Sequence, residues 1–449
     1  MPPHPPRLAS PHASHASSVL VSAPGKVILF GEHAVVYNKP AIAASLGLRS
    51  YAWFRAQPAG VSPSLLRLNL PDIHRTTIEF PLVQLAAVSR EYYYALDASD
   101  AMLRPSVLLP DAERALEPVL SELPHSAVRP AVLAFLHLFL AICPKLPALN
   151  VCVRSELPVG AGLGSSASFS VAVAAGLLAL ASSHPDIDSE AKEEVDPAWR
   201  VNQWAFMAEK VIHGNPSGVD NSLATYGGAK IYSKGQLESL NGFSSLRFLL
   251  TDTCVPKNTK RQVEMVRTRK MRFPSVMDLL IDSVENIVKE CKAVFRDIAQ
   301  GTISQAEMVS SMEALIEMNH GVMAACGVSH PSLETVRLVT ASHGLQSKLT
   351  GAGGGGCALT FLPPGTTRET ISAVATQLSA NGFKCYETEV GGSGVEVRTQ
   401  RSVDSGNEEG EQVAVLAAWE EFAARPLVRD GSGGGGGGVD GLNAYFESS

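Results

Sequence analysis

Apolar positions in this chain fall into short blocks and longer helix-spaced stretches, and their alternation predicts a mixed fold. From Val19 the blocks are short: Val19–Ser22 and Val27–Phe30 predict strands around the Pro24-Gly25 turn, and Tyr51–Ala56 and Leu65–Leu70 predict two more. Helical spacing follows over 78–98, 111–122 and 128–143, then a strand over 149–157 and helices over 165–182 and 199–212. Turn signals at Lys234-Gly235 and Asn241-Gly242 close this set near residue 240. Leu246–Thr251 opens a second set with helices over 260–298, 304–326 and 330–342, and strands Cys357–Leu362 and Lys384–Val390 flank a helix over Arg368–Asn381. The resulting division is a loose tail over 1–18, domains over 19–240 and 241–400, and a tail over 401–449. That last segment holds one helix over Glu411–Ala424 and the glycine run Gly431–Gly438.

A chain of 449 residues with 45% hydrophobic and 18% charged positions can bury a large core, which suits two folded domains. The net charge of −7 and the lack of a dense Lys/Arg run argue against nucleic acid or an anionic membrane as the main partner. Seven scattered cysteines without a CxxC pair predict reduced thiols, with neither disulfides nor a zinc site. The apolar run Ala131–Cys143, which contains His137, is shorter than the roughly 18 residues a membrane span requires. Met1–Ser18 lacks the features of a secretory or transit signal, and the tripeptide Ser347-Lys348-Leu349 lies inside the chain, so a cytoplasmic location is expected.

Candidate chemistry concentrates in three glycine-punctuated segments besides this framework. Glu156–Ser170 is a glycine-dense turn that ends in two serines and runs into an apolar helix. Its backbone N–H groups can meet a polyphosphate at Gly160–Ser166, beside the positive end of that helix. A tight turn with no ligand is the competing reading. Ala23–Tyr37 places Lys26, Glu32 and His33 around a strand bounded by glycines, where ordinary surface charges are the alternative. In Trp204–Asn221, Glu209 near a helix end and Asp220 after a Pro/Gly loop can point two carboxylates into one cleft. Phosphoryl transfer needs such a pair, one to hold Mg2+ and one to orient or deprotonate a hydroxyl; capping and a solvated helix charge compete. Ser347–Thr360 contains a literal GxGxxG, but a strand is expected after it, so a dinucleotide-binding unit is excluded and a phosphate-facing or interdomain loop is preferred over a plain hinge. Neither a P-loop nor protein-kinase signatures occur.

Together, and in this order, these segments resemble the GHMP small-molecule kinases. Pro158-Val-Gly-Ala-Gly-Leu-Gly-Ser-Ser-Ala167 is similar to that family's Pro-x-x-x-Gly-Leu-Gly-Ser-Ser-Ala motif, and Lys348–Gly356 to its C-terminal glycine loop. Lys26–Tyr37, Ile212–Asn221 and Val255–Lys260 look most like the mevalonate kinases of eukaryotic type; the similarity runs from about residue 19 to 398 and omits the tails. The resemblance implies an α+β, two-domain GHMP kinase fold. Its N-terminal mixed α/β domain would carry a left-handed βαβ unit, its C-terminal domain would be ferredoxin-like α/β, and the active site would lie in the cleft between them.

It further implies that ATP phosphorylates the C5 hydroxyl of (R)-mevalonate. Gly160, Ala161, Gly162, Leu163, Gly164, Ser165 and Ser166 would hold the triphosphate. Ser166 and Glu209 would bind Mg2+, with Ser165 an alternative to Ser166. Asp220 would be the general base, with Lys26 beside it and the attacking oxygen. Glu32, His33, Gly351 and Ala352, again with Lys26, would line the mevalonate side. Ser155 and Asp72 would lie on the nucleotide side, Asp72 standing where some relatives have Asn. Phe30 stands where some have His, and Ser168 replaces a frequent Ala. A homodimer and feedback inhibition by farnesyl or geranyl diphosphate are also implied. The alternatives are another GHMP kinase, acting on a sugar, homoserine or phosphomevalonate, and a non-catalytic ligand-binding relative.

Overall fold

The computed structural model describes residues 16–57, 64–87, 110–121, 123, 128–143, 148–158, 160–182 and 196–401. The predicted C-terminal tail with its helix over 411–424, most of the N-terminal tail and the 88–98 part of the first predicted helix lie outside these residues. The strands are β1 (Ala16–Phe30), β2 (Ala41–Ala56), β3 (Leu65–Leu70), β4 (His74–Pro81), β5 (Leu149–Ser155), β6 (Ala229–Ser233), β7 (Gln236–Ser239), β8 (Leu246–Asp252), β9 (Ser347–Leu349), β10 (Cys357–Phe361), β11 (Lys384–Val390) and β12 (Glu396–Arg401). The helices are α1 (Pro110–Leu120), α2 (Val128–Ile142), α3 (Ser165–Ser182), α4 (Pro197–His213), α5 (Val219–Tyr226), α6 (Thr259–Arg272), α7 (Pro274–Ala299), α8 (Gln305–Cys326), α9 (Pro331–Ala341) and α10 (Arg368–Ser379).

The strands join into one mixed sheet in the order β4-β3-β5-β2-β11-β8-β10-β9, with β1 bridging β2 and β12 and the β6-β7 hairpin attached to β2. Pairing is antiparallel except between β3 and β5. One apolar core lies under the early strands and α1–α5, a second mixes Phe30, Ile42 and Leu46 with Phe248, Phe295 and Phe361, and a third fills the space among α6–α10 and the late strands. Helix α3 is apolar on all sides and long enough to cross a bilayer, yet 72% of it is buried inside the fold. It lies so close to β2 that a methyl group at Gly176 would sit 2.0 Å from the Phe54 ring. Ser347–Leu349 forms the buried strand β9.

Several predicted elements change form, each for a local reason. The two strands around Pro24-Gly25 are one strand, β1, whose register breaks between those residues. Proline offers no N–H to the ladder there, and a Cβ at Gly25 would sit 2.7 Å from the Leu163 carbonyl oxygen. Residues 78–81 belong to β4, not a helix, because Thr76, Thr77, Ile78 and Phe80 suit a pleated surface and pair with β3. The helix predicted over 260–298 divides at Phe273, since Pro274 bars the residue before it from helical geometry. A dense basic run does exist: six of the 14 residues of α6 are Lys or Arg.

Candidate active site

The register break in β1 has a direct consequence. It opens room for the connection between β5 and α3, and Lys26 N donates to the Leu163 carbonyl at 2.8 Å. Gly160, Gly162 and Gly164 adopt φ of 75°, 73° and 74°, the left-handed region that favours glycine. Side chains would also collide with cations there: a Cβ at Gly162 would lie 2.4 Å from Lys257 Nζ, and one at Gly164 would lie 2.8 Å from Lys26 Cγ. The loop therefore turns its backbone toward two ammonium groups at the start of α3, a setting that suits phosphate oxygens. It bounds a cavity of about 480 Å³ with Lys26, Ser155, Asp72, His213 and Asp220 on its polar side and Leu70, Ile73, Pro130, Phe169 and Ile212 on its apolar side. The volume lies in the range usual for small-molecule sites.

Asp220 stands in the first turn of α5, entered through Gly218 at φ 78°. Its Oδ2 lies 3.3 Å from Lys26 Nζ, and the carboxylate is 34% exposed toward the cavity while the lysine is largely covered. The helix N-terminus and the ammonium both place positive potential beside this carboxylate.

Behind this pair, Glu209 of α4 is buried. Ser166 and Ser170 of α3 donate to its two oxygens, each at 3.2 Å. Burial, reinforced by the negative charge of Asp220, pushes the Glu209 carboxyl up to about 7. The groups gathered here, the Glu209 carboxylate and the Ser166 hydroxyl, present oxygen donors. That donor set fits a hard divalent cation. His213 Nε2 also lies 2.9 Å from Ser166 Oγ. The Ser166 hydroxyl thus faces Glu209, and both Ser165 and Ser166 line the cavity.

Of the residues expected on the acceptor side, Lys26 lines the cavity, whereas Glu32, His33, Gly351 and Ala352 lie away from its wall. His33 Nε2 lies 2.9 Å from the Ala352 carbonyl oxygen, and burial lowers the imidazole's pKa. Gly351 approaches Lys257, whose Nζ lies 3.4 Å from the position a Cβ there would take. Glu32 turns inward to an ion pair with Lys348 and is enclosed. Asp72 accepts from Ser155 N at 2.7 Å and lies 3.3 Å from Arg154 Nε, so β5 engages its carboxylate. Arg154 and His213 on the cavity wall, and Lys257 behind Gly162, are the cations and imidazole to which sequence reasoning gave no role. Asn258 offered a signal for the lysine, because it caps α6 by accepting from Arg261 N at 3.0 Å and so fixes Lys257 in the turn before the helix.

The glycine loop at the start of a buried helix, flanked by a lysine–aspartate pair and a sequestered glutamate, places this fold among the GHMP small-molecule kinases. Residues 128–228 match the family described as GHMP kinases N terminal domain. A crystal structure of L. major mevalonate kinase in complex with R-mevalonate has the same fold, with a TM-score of 0.58 at 22% identity over 83% of this chain and 96% of that one. Among curated relatives, the mevalonate kinase of Mus musculus is 42% identical over 86% of this chain and 97% of its own length. The mevalonate kinase of Bos taurus is likewise 42% identical, over 87% and 98%. The chain belongs to the mevalonate kinase family.

Proposed function

We propose that this protein transfers the terminal phosphoryl group of ATP to the C5 hydroxyl of (R)-mevalonate, giving 5-phosphomevalonate and ADP. The observation that carries the reading is the Lys26–Asp220 pair at 3.3 Å, set between the glycine loop and the Glu209–Ser166 cluster. Its support from relatives is the 42% identity to mevalonate kinases across most of the chain.

The residues divide the chemistry as follows. Asp220 accepts the proton of the attacking hydroxyl, so the O–H bond breaks as the new O–P bond forms. Lys26 holds Asp220 in place through their ion pair and faces the negative charge that accumulates during transfer. Backbone N–H groups of Gly160–Ser166 orient the phosphates, with Lys257 as a second cation beside Gly162. Glu209 and Ser166 would hold Mg2+, which would supply neutralisation of phosphate charge. Ser155 and Asp72 stand on the nucleotide side, and His33, Gly351 and Ala352 on the acceptor side. A coupled assay of ADP release with MgATP tests the substrate by comparing (R)-mevalonate with phosphomevalonate, galactose and homoserine. Turnover on mevalonate alone is expected, and turnover on another acceptor alone refutes the assignment.

Further parts of the reading rest on separate support. The apolar cavity wall suits the chain of farnesyl or geranyl diphosphate, which would then inhibit competitively with ATP; inhibition insensitive to ATP concentration counts against this. Exposed Met271, Phe273, Val276 and Leu279 around the α6–α7 corner offer an apolar face for a homodimer, which sedimentation tests. All seven cysteines are free, which supports a reducing, cytoplasmic setting. The two domains are taken as 19–240 and 241–400.

A further inference from the structure

Away from the cavity wall, Glu32 in the turn after β1 meets Lys348 of β9, 316 positions along the chain, and both side chains are fully enclosed. Lys348 Nζ also donates to the Leu349 carbonyl at 2.8 Å and stands 5.6 Å from the centre of the Phe30 ring. Asn319 of α8 donates to the second Glu32 oxygen at 3.2 Å. Burial raises the carboxyl's pKa and lowers the ammonium's, so desolvation opposes the attraction between them. A pair so placed adds little stability over apolar side chains of the same shape. What it does fix is geometry.

The segments it joins carry the acceptor-side residues. Thr350 Oγ1 donates to the Ile28 carbonyl at 2.9 Å, and His33 Nε2 lies 2.9 Å from the Ala352 carbonyl oxygen, so residues 28–33 and 348–352 are tied on both sides of the ion pair. His33 is held at φ 58°, a left-handed conformation that a non-glycine residue keeps only when its surroundings impose it. β9 is itself anchored: His320 Nδ1 accepts from Leu349 N at 3.2 Å, and His320 Nε2 lies 3.0 Å from Glu334 Oε1. Next to Ala352, Gly351 abuts Lys257, which abuts Gly162 of the phosphate cradle. A continuous line of contacts therefore runs from the enclosed pair to the cradle.

We propose that the Glu32–Lys348 pair is a positioning device for the acceptor side, holding His33 and the 350–352 segment in register with each other without touching substrate. This rests on the assignment of His33, Gly351 and Ala352 to the acceptor site. Its signature is a split between the two substrates, because the pair governs the acceptor-side segments and leaves the β5–α3 connection in place.

The test combines initial rates, with mevalonate and MgATP each varied, and thermal melts of wild type, Glu32→Gln, Lys348→Met and the double variant. Each single change leaves a lone charge or its polar remnant enclosed, so Tm falls. The acceptor KM is expected to rise roughly ten- to a hundredfold, the scale of ångström misplacement, while the MgATP KM stays within about twofold. The double variant regains Tm because no lone charge remains, but it keeps the raised acceptor KM because nothing draws the two segments together. Recovery of both Tm and KM in the double variant overturns the proposal, as does a rise in MgATP KM equal to that of the acceptor. Should the single variants fail to fold, the double variant and Thr350→Val decide: a raised acceptor KM in both supports the proposal, and a wild-type value in either overturns it. Wild-type turnover on a different acceptor refutes the substrate assignment alone, and the same split is then read with that acceptor.

Discussion

At the scale of single residues, the carboxylates proposed to take a proton and to hold a cation stand in different surroundings. Asp220 is open to the cavity and paired with Lys26, whereas Glu209 is buried against two serine hydroxyls. Asp220→Ala is expected to lower kcat by roughly 10²- to 10⁴-fold, the range usual for loss of a general base, while binding of a fluorescent ATP analogue persists. Wild-type-like turnover would remove Asp220 from that role. Glu209→Gln should separate function from stability. In the metal-free protein, burial and Asp220 raise the Glu209 carboxyl to about 7 from 4.5, so folding binds its proton more tightly than the unfolded chain does. Stability from this group is present below 4.5 and is lost as pH rises through 7. A neutral amide avoids that loss, on the order of 3 kcal/mol at pH 8, so the metal-free variant should melt higher than wild type. Its apparent KM for MgATP should rise at the same time, because an amide is a poorer Mg2+ ligand. A variant that melts lower, or binds MgATP unchanged, contradicts the placement of Glu209.

Elements position these residues, and they were legible in the sequence to the degree that their signals are local. The Gly160–Ser166 turn and α3 could be read directly, because glycine spacing and an all-apolar helix depend on neighbouring residues alone. Helix α2 was also readable, and it carries a testable property. Burial holds His137 neutral with its pKa pushed down to about 4 from 6.5. The folded state thus binds fewer protons than the unfolded state between these values. The stability this confers is complete above 6.5 and is lost as pH falls through 4, on the order of 3 kcal/mol in all. His137→Leu should flatten the dependence of Tm on pH between 4 and 6.5; an equally steep dependence in the variant would exclude His137 as its source. What could not be read were the elements that long-range pairing decides. The 3-residue strand β9 exists because β10 lies beside it, and β4 forms on β3 although residues 78–81 also fit helical spacing. The enclosed partner of Glu32 was equally hidden, since Lys348 lies 316 positions away and no local pattern links them.

For the whole molecule, the proposed boundary near residue 240 divides the order of elements but not the core. The first half of β1 pairs with β12, Val19 opposite Thr399 and Val21 opposite Val397, while Leu46 of β2 faces Val390 of β11. Phe30, Ile42 and Leu46 from the early strands pack in the same cluster as Phe248, Phe295 and Phe361 from the late ones. A cluster supplied from both sides of a boundary leaves each part with uncovered apolar surface when separated, so cooperative unfolding should require the whole chain. A fragment of residues 1–245 is therefore expected to lack a sharp thermal transition in near-UV circular dichroism. Co-expressed with residues 246–449, it should copurify as a complex whose transition resembles that of the intact chain. The catalytic arrangement makes the same demand. Lys26, Glu209 and Asp220 lie before the boundary, but Lys257, Lys348 and Ala352 lie after it, so the fragment would bring a cradle and a base without the cation and loop that face them. If residues 1–245 alone melt cooperatively near the temperature of the intact chain, the shared cluster contributes little to folding, and the first domain is an independent unit.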